Sequence, residues 1–182
     1  MPRREARKAS PGYLERAAVY YLERYASSVA NLRNVLDRKV KRSVEAHGTD
    51  LAEGRQWIED VLKKLVGLGL LNDAAYAAAK TRSLLRQGKP KRTIGMTLRA
   101  KGVGQDDLEH ALASVEDPDA DLRAAIVFAR KRRFGPFGPK VDPAARQRQF
   151  AAFARRGFGY DLARKVLDAP SVEAVERLTG LD

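Results

Sequence analysis

The 182-residue chain contains no cysteine, one tryptophan and two histidines, and its 23 Asp+Glu are outnumbered by 35 Lys+Arg. Without cysteine there is no disulfide scaffold, iron–sulfur cluster, thiolate zinc site or cysteine nucleophile, which fits a reducing interior. His47 and His110 have no second ligand at metal spacing beside them, so no metal site is expected. The longest near-continuous apolar run, Leu65 to Leu71, falls far short of the ~20 residues needed to cross a bilayer. The basic start, Met1 to Gly12, is not followed by an apolar core and does not read as a secretory signal. Gly67-Leu68-Gly69 lacks the Gly-Lys-Ser/Thr ending of a phosphate loop and reads as a helix terminus. No Ser-His-Asp arrangement or carboxylate–lysine nuclease pattern is recognisable. Asp106, Asp107 and Glu109 read as first-turn carboxylates favoured by a helix dipole. The expectation is a soluble, intracellular, non-catalytic protein without cofactor or metal.

What the chain has in excess is positive charge, a net +12. From Lys80 to Lys101 there are eight basic residues and no acidic one: Lys80, Arg82, Arg86, Lys89, Lys91, Arg92, Arg99 and Lys101. Gln105 to Leu122 holds seven acidic residues and no Lys or Arg, and Arg123 to Lys165 holds twelve basic residues against Asp142 and Asp161. A purely structural surface interleaves signs, because like charges four apart on a helix repel by a few tenths of a kcal/mol. Arg82 and Arg86 are such a pair. Segregation on this scale points to a polyanionic partner.

Apolar periodicity is helical nearly throughout. Leu14, Ala17, Ala18, Tyr21, Leu22 and Tyr25 line one helix face. Val29, Leu32, Leu36 and Val40 continue after a Ser27-Ser28 break that offers an N-cap, and Ile58, Val61, Leu62 and Leu65 form a third stripe. Asn72-Asp73 caps a small-residue face through Leu85, Pro90 suits the first turn of a helix carrying Ile94 and Leu98, and Leu108 to Val115 forms another stripe. Asp117-Pro118 reads as a further cap and first-turn proline, opening a helix with Leu122 to Ala129. Phe134 to Pro143 is a loop whose Phe134 and Phe137 are read as core cover, presentation to a partner being the alternative, and two more helices follow. Trp57 is read as core.

Three times a basic residue, a turn and an apolar residue recur: Arg38-Lys39-Val40, Lys101-Gly102-Val103 and Arg156-Gly157-Phe158. The spacing fits a unit of three helices, and no sustained alternation supports sheet. The expected architecture is all-α, three tandem three-helix modules over residues 13–71, 72–116 and 117–168. A basic arm, 1–12, with Arg3, Arg4, Arg7 and Lys8, is expected to be disordered, and a tail, 169–182, to carry a helical turn or two. Within the middle module, Pro90 to Val115 has helix-turn-helix proportions. Its second helix carries Asp106, Asp107 and Glu109 and no Lys or Arg, so phosphate repulsion opposes major-groove insertion. Nucleic-acid contact would fall to the preceding helices and to the backbone.

Gly69-Leu70-Leu71-Asn72-Asp73, Tyr76-Ala77, Arg82, Arg86, Gly88, Lys91-Arg92, Ile94, Leu98 and Lys101-Gly102-Val103 together resemble the central signature of RecX-type regulators of bacterial recombination. Leu32 to Val40 resembles the first repeat, and Gln149-Phe150 with Arg155-Arg156-Gly157-Phe158 the last, so the likeness covers residues 13 to 168. Val40 follows Lys39 without the usual glycine, a long connection runs from Lys41 to Arg55, and Asn72-Asp73 replaces a double aspartate. The resemblance implies an elongated, curved repeat protein; repeats that bury their faces on one another favour a monomer, and the composition favours a cytoplasmic location. It implies binding to the RecA filament on single-stranded DNA and inhibition of its ATPase, strand exchange and coprotease activity, within DNA repair and the SOS response. The contact residues expected are Arg82, Arg86, Lys89, Lys91, Arg92, Arg99 and Lys101 in the middle module, with Arg130, Lys131, Arg132, Arg133, Arg155 and Arg156 in the third. The alternative is an architectural protein that binds DNA backbone without the recombinase.

Overall fold

A computed structural model describes residues 6–180, and its described residues are helical with no strand. In chain order the helices are α1 (Pro11–Leu22), α2 (Val29–His47), α3 (Leu51–Gly67), α4 (Asp73–Arg86), α5 (Lys91–Ala100) and α6 (Gln105–Ala113). They continue with α7 (Ala120–Arg132), a 3₁₀ turn (Gly135–Phe137), α8 (Pro143–Arg156), α9 (Tyr160–Leu167) and α10 (Val172–Arg177). None is long and apolar enough to cross a membrane. The chain forms two compact units. One comprises the described residues up to Ala77 with Arg99–Asp107, the other Ala78–Leu98 with the described residues from Leu108 onward. The middle group of helices, α4 to α6, is thus divided between the two.

In the first unit α1, α2 and α3 bury Leu14, Leu32, Leu36, Val40, Ile58, Leu62 and Leu65, and the half-buried Trp57 leans on that core. Each such leucine contributes about 1.5–3 kcal/mol by leaving water. Ser28 caps α2 by accepting from the Asn31 amide at 3.1 Å, and Asp50 caps α3 by accepting from Glu53 at 2.7 Å. The connection expected over Lys41 to Arg55 is much shorter, because α2 continues to His47 and α3 begins at Leu51. Two residues account for this. Val40 is fully buried one turn beyond Leu36, and Gly54 of α3 lies against it so closely that a Cβ there would sit 2.4 Å from Val40 Cγ1. Arg38-Lys39-Val40 is therefore mid-helix, and the first copy of the expected basic-turn-apolar repeat is not a turn.

The N-terminal arm also differs from expectation. Arg3 and Arg4 lie outside the described residues, but the chain is fixed from Ala6 onward. Ala9 is buried and its amide donates to Ser43 Oγ at 2.7 Å, while Ser43 and Thr49 share a 2.6 Å hydroxyl contact. His47 Nε2 lies 2.6 Å from the Ala6 carbonyl oxygen, and Ser10 caps α1. Satisfied buried hydrogen bonds of this kind contribute about 1 kcal/mol each, and losing one partner costs more.

The second unit is built on aromatic packing. Phe128 and Phe153 meet edge-on at 5.1 Å, and Phe158 lies 5.9 Å from Phe128 and 5.4 Å from Phe153. Phe134 adds an edge contact to Phe128, and both Phe134 and Phe137 are half-buried against the cluster. Asp117-Pro118 does not open α7, which starts at Ala120. Asp117 instead accepts from the Asp119 amide at 2.9 Å and pairs with Arg123 at 2.7 Å, a local turn that competes with helix initiation. The tail folds back: Ser171 caps α10, Val175 is buried, and Arg123 Nη1 donates to the Thr179 carbonyl at 3.1 Å.

Candidate docking surface and the module joints

A contact that no single motif announces recurs twice. In the first unit the N–H of Val29, first residue of α2, donates to Asp73 Oδ1 at 2.8 Å. In the second unit the N–H of Lys91, first residue of α5, donates to Asp121 Oδ1 at 2.7 Å. Each time a carboxylate from the opening turn of the next three-helix group takes an orphan donor at a helix start. A second contact accompanies the first. Ser28 Oγ donates to the Lys101 carbonyl, and Thr93 Oγ1 donates to the Arg156 carbonyl at 2.9 Å. The glycine after each carbonyl is left-handed and pressed against the helix it grips. A Cβ on Gly102 (φ 71°) would lie 2.3 Å from Ala30 Cβ, and one on Gly157 (φ 98°) 2.2 Å from Thr93 Oγ1. The repeated basic-glycine-apolar turn is thus a joint to the preceding group. In the first group the connection from α2 to α3 is turned by the left-handed Gly48 (φ 65°), where a Cβ would meet nothing within 4 Å, and Arg38-Lys39-Val40 lies inside α2.

These joints fix the surroundings of the expected contact residues. Arg82 and Arg86 on α4 and Arg92 on α5 are exposed, and none forms an ion pair among the described residues. The same holds for Lys131, Arg132 and Arg133 at the end of α7 and for Arg155 on α8. Other expected residues have internal work. Lys91 Nζ reaches the Val115 carbonyl at 3.4 Å, and Lys101 Nζ donates to Asn31 Oδ1 at 3.3 Å. Arg99 Nη2 reaches Gln105 Oε1 at 3.4 Å, and Arg130 pairs with Glu176 at 2.6 Å. Arg156 is half-buried, its guanidinium 5.4 Å from the Phe128 ring centre, with Nη2 donating to the Gln87 carbonyl at 3.0 Å. Burial, then the nearby Arg156 charge, draws the Lys89 ammonium below the ordinary lysine value. The run expected to act as one basic segment is divided, with Arg82 to Arg92 in the second unit and Arg99 and Lys101 in the first. Asp106 and Asp107 occupy the first turn of α6, and no cluster that could hold a metal occurs among the described residues.

The descriptions of the RecX second and third three-helix domains match residues 72–112 and 119–167. The regulatory protein RecX of Myxococcus xanthus is 43% identical over 165 residues, covering 90% of this chain and 88% of that protein. This chain belongs to the RecX family. The regulatory protein RecX of Agrobacterium fabrum is 34% identical over 165 residues, 90% of this chain and 86% of its own length. The crystal structure of RecX from Lactobacillus salivarius superposes with a TM-score of 0.60 at 21% identity, covering 86% of this chain and 93% of that one. A further crystal structure of regulatory protein RecX gives the same score and identity over 87% of this chain and 71% of that one. The second joint lies wholly inside the matched domains, and of the first they include Asp73 and Lys101-Gly102. Sequence reading located the two glycine turns and read Ser28 and Asn72-Asp73 as caps, but it foresaw neither their contacts across groups nor the parts played by Thr93 and Asp121. An acidic residue at the start of both α4 and α7 was the available signal.

Proposed function

We propose that this RecX-family chain is a non-catalytic regulator, cytoplasmic and monomeric, that binds RecA filaments on single-stranded DNA and mainly inhibits their ATPase, strand exchange and coprotease activity. The observation that carries the reading is the set Arg82, Arg86 and Arg92: exposed on consecutive helices of one unit, in no ion pair among the described residues, and inside the matched second domain. Unpaired cations on a rigid scaffold attract an anionic surface, and attraction to a repeating assembly adds through effective concentration. Binding that favours one filament geometry over others is sufficient to regulate it.

The test replaces Arg82, Arg86 and Arg92 by Glu, leaving Lys91 and Arg156 to their internal roles. The variant is expected to keep its helicity by circular dichroism and to lose inhibition in an ATPase titration of the cognate recombinase on single-stranded DNA. Full inhibition by the folded variant would refute this face as the docking surface. Equal affinity of the native protein for naked and recombinase-coated strands would replace the reading with that of an architectural DNA-binding protein.

A further inference from the structure

The first unit holds a cationic recess that the middle and third basic segments do not include. A cavity of about 870 Å³ opens between the N-terminal segment, α1 and α2, lined by Arg7, Tyr13, Arg16, Tyr20, Lys39 and Arg42 with two small alanines. Its making is simple. Tyr13, Arg16 and Tyr20 fall on one face of α1, Lys39 and Arg42 are one turn apart on α2, and the Ala9–Ser43 hydrogen bond brings Arg7 alongside.

Its chemistry is one-sided. No carboxylate lines it, and none of its four cations is in an ion pair among the described residues. Of the carboxylates in the adjoining recess, Glu15 pairs with Lys64 at 2.6 Å, while Glu23 is largely exposed and 3.9 Å from Arg24. Tyr20 is 60% exposed, although Arg24 covers part of its ring at 3.6 Å, and Lys39 Nζ sits 5.7 Å from the Tyr13 ring centre. Tyr20 therefore keeps ring surface in water beside four cations that form no ion pair among the described residues.

We propose that this recess binds a single nucleic-acid strand, with phosphates on Arg16, Lys39, Arg42 and Arg7 and an unstacked base against Tyr20. The combination of cationic groove and aromatic platform is how proteins hold single strands without reading sequence. A duplex supplies the phosphates but keeps its bases stacked inside, so it cannot use the tyrosine. An acidic peptide supplies charge but no base. The site makes a direct strand contact that does not require the recombinase.

Fluorescence anisotropy with labelled oligothymidine and the full chain tests this without the recombinase. Native protein is expected to bind with a dissociation constant of about 10⁻⁵ M at moderate salt. Replacing Arg16, Lys39 and Arg42 by Ala is expected to lower the slope of log affinity against log salt by about 2. Tyr20→Ala is expected to weaken binding about tenfold, and Tyr20→Phe to restore it, because stacking needs the ring and not the hydroxyl. Arg16, Tyr20 and Arg42 are exposed and Lys39 is half-buried outside the core, so circular dichroism should show intact folds. The assignment is overturned if the native protein fails to bind, if the variants bind as the native protein does, if Tyr20→Ala has no effect, or if duplex DNA or polyglutamate displaces the strand as well as oligothymidine does. These variants leave Arg82, Arg86 and Arg92 in place, so loss of strand binding with filament inhibition retained separates this site from the filament-docking face.

Discussion

Gly102→Ala probes the joint most directly. A Cβ at φ 71° carries the left-handed penalty, about 1–2 kcal/mol. It also lies 2.3 Å from Ala30 Cβ, where carbon atoms rest about 3.5–4.0 Å apart. The turn must therefore retreat from α2 by more than an ångström, stretching the bonds from Ser28 Oγ to the Lys101 carbonyl and from Lys101 Nζ to Asn31. Overpacking of this kind adds about 1–3 kcal/mol. The expected loss is about 3 kcal/mol, or a fall of about 6–12 °C in Tm for a chain of this length. Gly69→Ala supplies the control: its φ is 70° and nothing lies within 4 Å of its would-be Cβ, so it carries the backbone penalty alone. Thermal denaturation followed by circular dichroism should rank native, Gly69→Ala and Gly102→Ala in falling order. Adding Ala30→Gly to Gly102→Ala should recover the steric part. Equal Tm values for the two glycine variants, or no recovery with Ala30→Gly, would refute the joint as described.

Asp121→Ala should cost about 1–2 kcal/mol by leaving the Lys91 N–H without its 2.7 Å acceptor. Amide exchange at Lys91 should accelerate, and Asp121→Asn, which keeps an acceptor, should restore most of the protection; unchanged exchange in Asp121→Ala would sink the cap. The Arg123 hydrogen bond, helped by the Asp119 amide, holds the Asp117 carboxyl below the ordinary aspartate value. The unfolded carboxyl therefore takes up its proton first as pH falls. The pair's contribution is complete above the unfolded value and is lost as pH drops toward the folded one. Carboxyl-detected NMR should place the Asp117 midpoint below that of a free aspartate, and Arg123→Gln should move it up.

Much of this fold is written in local patterns. The stripes at the start of α2 and in α3 predict buried residues because each needs only its own helix to be recognised; in the α1 stripe Leu14 and Ala18 are buried, while Tyr25 lies beyond the helix end and is exposed. Asn72 is a legible cap for the same reason, and its Oδ1 accepts from the Ala75 amide at 2.9 Å. What escapes local reading depends on residues far away in the chain. Arg38-Lys39-Val40 has the residue types of the later turns, but Val40 packs on Gly54 of α3, and the helix runs on. Ala6 to Ser10 read as a loose basic arm because the acceptor for the Ala9 amide is Ser43, on another helix. The expected docking residues were chosen by charge alone. The structure separates exposed Arg82, Arg86 and Arg92 from Lys91, Lys101 and Arg156, whose atoms partly close joints. The cationic recess draws on three separate segments, and no spacing in one of them announces it.

The residue that begins α8 gives the latch a direction. Val29 and Lys91, which open α2 and α5, each surrender an N–H to a neighbouring carboxylate. Pro143 occupies the same place on α8, and a proline has no hydrogen there to surrender; Asp142 closes that helix locally through the Ala145 amide at 2.6 Å. The interlocking motif is therefore open for docking on two helices and sealed on the third. Lengthening the array by grafting another triplet onto this side of α8 would first require an amino acid with a free amide at position 143.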